Sequence, residues 1–173
     1  GAIPLMRTFR EALLGAGHRP SAGESTDKKN YAERLSRNLS TLFANLLRKD
    51  FPQITPDETG GRQEAPARTG KGMKKLDVNY STPELGLGLG VSIKTLNFRD
   101  GKSARYTKNY GRIDNELRAE AMDYHDRQPW SVLVAVIFLP VDSCDDYNPK
   151  SNDVGSSFGQ AVRHFRYRAN RSE

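Results

Sequence analysis

The chain has 173 residues, 36% of them hydrophobic, which is enough apolar side chain for one sizeable core but not for two. A single cysteine, Cys144, excludes an internal disulfide framework and a cysteine-rich zinc site, and with only three histidines any metal is expected to be held by oxygen ligands. The longest uncharged apolar run, Val132–Val141, is about half the ~20 residues of a membrane span, and no basic, apolar, small-residue leader opens the chain, so a cytoplasmic, prokaryotic-type protein without membrane association is expected.

In chain order, Leu5 to Leu14 reads as a short helix and Gly15 to Ser25, rich in Gly, Ser, Pro and charge, as a linker. Lys28 to Lys49 places Leu35, Leu39, Leu42, Phe43, Leu46 and Leu47 at helical spacing, with Thr26 or Asp27 as cap. Pro52 to Gly72 has no periodicity and reads as a long loop. Lys75 to Tyr80 alternates as a strand, Ser81 to Glu84 turns, and Leu85 to Thr95 alternates almost strictly. Its odd positions are apolar, whereas Gly86, Gly88, Gly90, Ser92 and Lys94 form the other face. Three alternate glycines in a strand call for either close approach of a large ligand or a sharply bent or bulged strand. Asp114 to Asp126 reads as a helix with Leu117, Ala121 and Tyr124 inward, stopped before Pro129. Trp130 to Pro140 is nearly continuous and β-branched, as in a strand buried on both faces, and Ser156 to Tyr167 forms a last helix with Phe158, Val162 and Phe165 on one side. This order predicts an α/β fold with a mixed sheet.

Charge is sorted along the chain. Residues 1–75 hold 14 Lys/Arg against 8 Asp/Glu, and residues 76–173 hold 13 of each. Within the neutral half, Arg99–Arg112 carries +4, Asp114–Asp126 carries −4 and Arg163–Arg171 carries +4. Such sorting suits a polyanion partner with a metal between the patches, and it also suits a solvated surface.

Asp77 on the first strand, with Ser92 and Lys94 on the second, forms the candidate site. A hairpin of the right register sets these positions side by side. Phosphodiester cleavage needs a divalent cation to generate hydroxide near neutral pH, a task for which Mg²⁺ takes one or two carboxylates, and a nearby lysine orients the attacking water. Asp77, then Val91-Ser92-Ile93-Lys94-Thr95, with the upstream helical Glu33, resembles the PD-(D/E)xK nuclease superfamily, and within it the restriction-endonuclease-like proteins. The similarity covers roughly Lys28 to Arg171. It implies a three-layer fold, a central mixed β-sheet flanked by helices, with residues 1–25 as an extension and 26–173 as the catalytic domain. It also implies a Mg²⁺-dependent endonuclease (Mn²⁺ substituting) of restriction or phage-defence type, with Asp77, Glu120 and the backbone of Ile93 as metal ligands and Lys94 serving the water.

Two positions depart from the motif. Leu76 stands where the pattern has proline, and Ser92 replaces the second acid. Some relatives with this S-x-K form supply the missing carboxylate from the following helix, where Glu120 and, one turn back, Glu116 share a face. Glu120 is the first choice and Asp123 points less favourably. Glu84 is a turn residue that can replace Glu120 if the register favours it, and His125 reads as a base, a phosphate contact or a helix C-terminal charge.

Arg62, Arg68, Lys71, Lys74 and Lys75 precede the aspartate strand, and Arg99, Lys102, Arg105, Lys108 and Arg112 follow the lysine strand, so both clusters flank the site as DNA contacts, with Asn109 and Tyr110 as further candidates. Double-stranded DNA is the expected partner, cut by a homodimer or by a larger protein of which this is the catalytic part. A repair or resolving nuclease of the same fold and a nuclease-like domain that binds without cutting are the alternatives.

Overall fold

Thr8 and Glu11 close a capping box: the Glu11 N–H donates to Thr8 Oγ1 at 3.1 Å, and Glu11 Oε2 accepts from the Thr8 and Arg7 N–H groups at 2.9 and 2.7 Å. In the computed structural model, which describes residues 5–21, 25–60, 76–147 and 155–169, this box starts helix α1 (Phe9–Ala16), three to four residues later than the apolar spacing alone predicts. Residues 9–16, expected within an extension, pack on helix α2 (Ser25–Leu47) through fully buried Ala12 and Ala16. Asn38 Nδ2 and Arg34 Nε donate to the Ala12 and Ala16 carbonyls at 3.0 Å each and so satisfy the end of α1. Leu35, Leu39 and Leu42 are buried as their spacing requires.

Strands β1 (Val78–Thr82) and β2 (Gly86–Thr95) form an antiparallel hairpin, followed by helix α3 (Tyr110–Arg127), strand β3 (Val132–Phe138) and helix α4 (Ser157–Ala169). Among the described residues the result is α/β: four helices and a three-stranded mixed sheet in the order β1-β2-β3. Two compact units divide the chain, residues 1–94 with 119–136, and residues 95–118 with 137–173.

In the first unit the register pairs Val78 with Val91, Asn79 with Gly90 and Tyr80 with Leu89, and it slips between Tyr80 and Ser81. The Thr55 backbone extends the sheet beyond β1, exchanging hydrogen bonds with Asn79 at 2.8 and 3.0 Å. Leu76, Leu87 and Tyr124 form a buried cluster with Leu133 packed on it. The end of α3 is tied to the start of β2, where Gln128 Oε1 accepts from the Leu87 N–H at 2.6 Å and Trp130 Nε1 donates to the Leu85 carbonyl at 3.1 Å.

The glycine face is not bare. A Cβ on Gly90 would lie 2.4 Å from Leu76 Cδ1 and 3.0 Å from Leu133 Cδ2, one on Gly88 would meet the Tyr80 ring at 3.2 Å, and one on Gly86 would collide with Gln128. The close approach that glycine permits here is therefore made by the chain's own side chains and not by a ligand.

β3 also departs from expectation. Val132 and Val134, two residues apart and so on one face of the strand, are 57% and 42% exposed, and a continuous apolar run does not by itself show that both faces are covered.

In the second unit Leu96, Tyr110, Ile113 and Ala161 are buried, with Leu117, Ile137, Leu139 and Phe165 packed around them, and the Leu96 N–H donates to the Phe138 carbonyl at 2.9 Å. α4 turns Ala161 and Phe165 inward. Phe158 and Val162, expected beside Phe165, are exposed.

Gly90→Ala should destabilise the protein by about 1–3 kcal/mol in urea titration, since the new methyl overpacks the Leu76–Leu133 contact. Gly111→Ala on α3, where an added Cβ meets nothing within 4 Å, should stabilise by about 0.5–1 kcal/mol. Equal stability of Gly90→Ala and the wild type would mean that the glycine face is not packed as described.

Candidate active site

Asp77 does not lie in β1 but immediately precedes it. Continuing the Val78–Val91 pairing by one residue sets Asp77 opposite Ser92, and Asp77 Oδ2 accepts from the Ile93 N–H at 2.7 Å. Ser92 is buried, and its hydroxyl donates to Glu120 Oε1. Two half-buried carboxylates are thus fastened to successive residues of β2, Glu120 to Ser92 and Asp77 to Ile93. Lys94, two residues beyond Ser92, shares its side of the strand and is half-buried.

One turn beyond Glu120, Tyr124 belongs to the core cluster with Leu76. Burial raises the Tyr124 phenol above its ordinary pKa, and the Glu120 charge adds to the effect. The phenol stays neutral beside the carboxylate. His125 is engaged away from this group, its Nε2 lying 3.1 Å from the Ser131 carbonyl. Asp123 and Glu84 are exposed, Glu84 in the hairpin turn. Glu116 is half-buried in the second unit.

Glu33 is an exposed residue of α2 with Lys29 Nζ 3.9 Å away. It nevertheless lines, with Asp77, an open cavity of about 330 Å³ whose wall also includes Arg37, Ser40, Thr41 and Gly60. Gly60 has φ +74°, and a Cβ there would lie 2.6 Å from Thr41 Oγ1. Sequence reasoning missed Arg37, Ser40 and Thr41, although with Glu33 they share one side of α2 at helical spacing, away from the leucine face, a signal that could have marked them.

The basic candidates fare unequally. Lys71, Lys74 and Lys75, like Arg62 and Arg68, lie outside the described residues. Arg112 is exposed and Asn109 half-buried. Lys108 pairs with Asp100 at 3.3 Å. Arg99 pairs with Asp142 at 2.9 Å and sits 5.6 Å over the Tyr106 ring, whose hydroxyl also donates to Asp142.

Arg105 is not a DNA contact. It is 2% exposed, donates to the Gly155 carbonyl at 2.7 Å and lies 3.9 Å from equally buried Asp146, which in turn accepts from the Ser157 N–H and hydroxyl. Tyr110 is likewise removed from solvent, donating to the Ser157 carbonyl at 2.7 Å. Burial pushes its phenol up to about 12.

Among the described residues no three His, Cys, Asp or Glu side chains are gathered to hold a metal. The donor set of Asp77, Glu120 and the Ile93 backbone carbonyl instead suits a hard cation that takes one or two carboxylates and keeps its waters. Compared with known proteins, the chain matches no family model, no curated protein and no solved structure.

Removing the Arg105 guanidinium leaves Asp146 buried without its cation. Arg105→Ala should therefore cost about 3–5 kcal/mol in chemical denaturation. A variant of wild-type stability would place Arg105 at the surface.

Proposed function

We propose that the chain is a Mg²⁺-dependent endodeoxyribonuclease of the PD-(D/E)xK type with a restriction-endonuclease-like fold, acting on double-stranded DNA as a homodimer or as the catalytic part of a larger nuclease, with Mn²⁺ able to replace Mg²⁺. The observation that carries this reading is the attachment of Asp77 and Glu120 to successive residues of β2, with Lys94 next along the same side. Glu120 supplies the carboxylate that Ser92 does not, and the serine hydroxyl orients it.

Asp77, Glu120 and the Ile93 carbonyl would hold the cation, whose contribution when bound is to acidify water and offset charge on the scissile phosphate. Asp77 is aimed by a main-chain donor, the Ile93 N–H, which orients its carboxylate toward β2. Lys94 places positive charge beside the phosphate and orients the attacking water. The neutral Tyr124 and the Leu76 cluster wall off one side of the carboxylates and lower the local dielectric.

A second reading, a nuclease-like domain that binds DNA without cutting it, is favoured by the same Ser92: a hydroxyl stands at the motif's acidic position and engages Glu120 directly.

Supercoiled plasmid separates the two readings. In Mg²⁺ or Mn²⁺ the wild type should nick and linearise it, and Lys94→Ala should lower the rate by about 10²–10⁴-fold. Asp77→Ala should abolish cleavage and leave DNA affinity largely intact when measured without a divalent cation, because it removes a cation ligand and no direct phosphate contact. Plasmid left equally intact by wild type and Lys94→Ala in both metals, whatever its methylation, would establish the second reading. Glu120→Gln should reduce cleavage more than Glu116→Gln. The reverse order would move the second carboxylate one turn back.

A further inference from the structure

The cavity beside Asp77 has a mixed lining that the candidate site does not explain. Among the described residues that line it, Glu33 and Asp77 are carboxylates and Arg37 is the one cationic side chain. The other arginines of this region are engaged by main chain. Arg34 donates to the Ala16 carbonyl at 3.0 Å, and Arg48 donates to the Ile54 and Pro56 carbonyls at 2.8 Å each, fixing the loop that forms the opposite wall. Among the described residues no hydrogen bond or ion pair engages the Arg37 guanidinium, although Glu33 stands four residues before it on the helix, where such pairs commonly form. The nearby hydroxyls are spent as donors: Ser40 gives its proton to the Ser36 carbonyl at 2.8 Å and Thr41 to the Arg37 carbonyl at 3.0 Å. Those two hydroxyls therefore keep no proton for a ligand, and the charged donors among the described lining residues are those of Arg37, one residue from Ser36, whose hydroxyl also lines the cavity.

An anion entering between two carboxylates needs a cation, and a planar guanidinium with five donors matches the geometry of a phosphate. A volume of about 330 Å³ is at the small end of ligand sites, room for one nucleotide and not for a duplex. We infer that this cavity is a subsite for one phosphate, with its sugar, of the DNA strand whose scissile bond lies at Asp77, and that Arg37 is the side chain that contacts that phosphate. The inference rests on the nuclease reading for the identity of the strand. It extends that reading to a residue and a surface outside the motif.

The test is fluorescence anisotropy of a labelled duplex in Ca²⁺ across a KCl series, with wild type, Arg37→Ala, Arg37→Lys, Ser36→Leu and, as an exposed cation of α1 away from the cavity, Arg10→Ala. Arg37→Ala should weaken binding about tenfold at moderate salt, the size of one charge-assisted hydrogen bond. It should also reduce the slope of log affinity against log salt by about one. Arg37→Lys should restore the slope and Arg10→Ala should leave it unchanged. Ser36→Leu fills the cavity without changing charge, so it should weaken binding with the slope intact. A wild-type slope in Arg37→Ala, or a loss as large in Arg10→Ala, overturns the inference, and full affinity in Ser36→Leu moves the contact out of the cavity. A wild type that binds in Ca²⁺ but never cuts in Mg²⁺ defeats the nuclease reading while the Arg37 slope still decides the subsite. A wild type that does not bind DNA at all defeats both.

Discussion

The pairing of Val78 with Val91 is the constraint on which the candidate site depends. A strand's side chains change face with every residue, so a slip of one position would turn Asp77 away from Ser92 and bring a leucine or valine into its place. Several features hold the pairing in place. Gly90 accepts Leu76 and Leu133 over its missing side chain, Gln128 fixes the start of β2, and Thr55 extends the sheet beyond β1. Each contact is local and modest, and together they leave one register.

That register couples packing to chemistry. Leu76 both fills the space above Gly90 and precedes Asp77, so the hydrophobic contact that locks the hairpin also sets the carboxylate's origin. From the other side, Tyr124 packs in the same cluster one turn from Glu120, which fixes the height of the helix against the strand. The acids belong to segments more than forty residues apart in sequence, yet both are aimed by neighbouring atoms of one strand.

Much of this was legible in the amino-acid sequence, and the gaps have physical causes. The helical leucines of α2, the alternation of β2 and the stop before Pro129 are local patterns, and the elements follow them. The S-x-K spelling also pointed to an acid on the next helix, and Glu120 is the one that meets Ser92. Two readings failed where local pattern carries no tertiary information, and a third, the glycine face, left two alternatives open. An apolar run does not reveal whether both faces of a strand are covered, and the face of Val132 and Val134 is not. A glycine face does not reveal whether a ligand or the chain itself covers it: side chains of the chain do, and the strand carries its extra residue at Gly88, where the register slips. Arg105 looks like its basic neighbours on a loop, and only the fold brings Asp146 and Gly155 to it. The stripe of Glu33, Arg37, Ser40 and Thr41 was passed over because attention to a helix's apolar side hides what its polar side lines.

The two acids are tethered in different ways, and the difference bears on how freely the sequence can drift. Glu120 is tied to β2 through a side chain, so a replacement of Ser92 that lacks a donor removes that tie. Asp77 is held by the main-chain N–H of Ile93, a group that every residue except proline possesses. Position 93 can exchange one apolar residue for another without disturbing the aspartate. The more exposed of the two links to mutation is therefore the one through serine, and the inheritance of the aspartate's aim is written into the backbone itself.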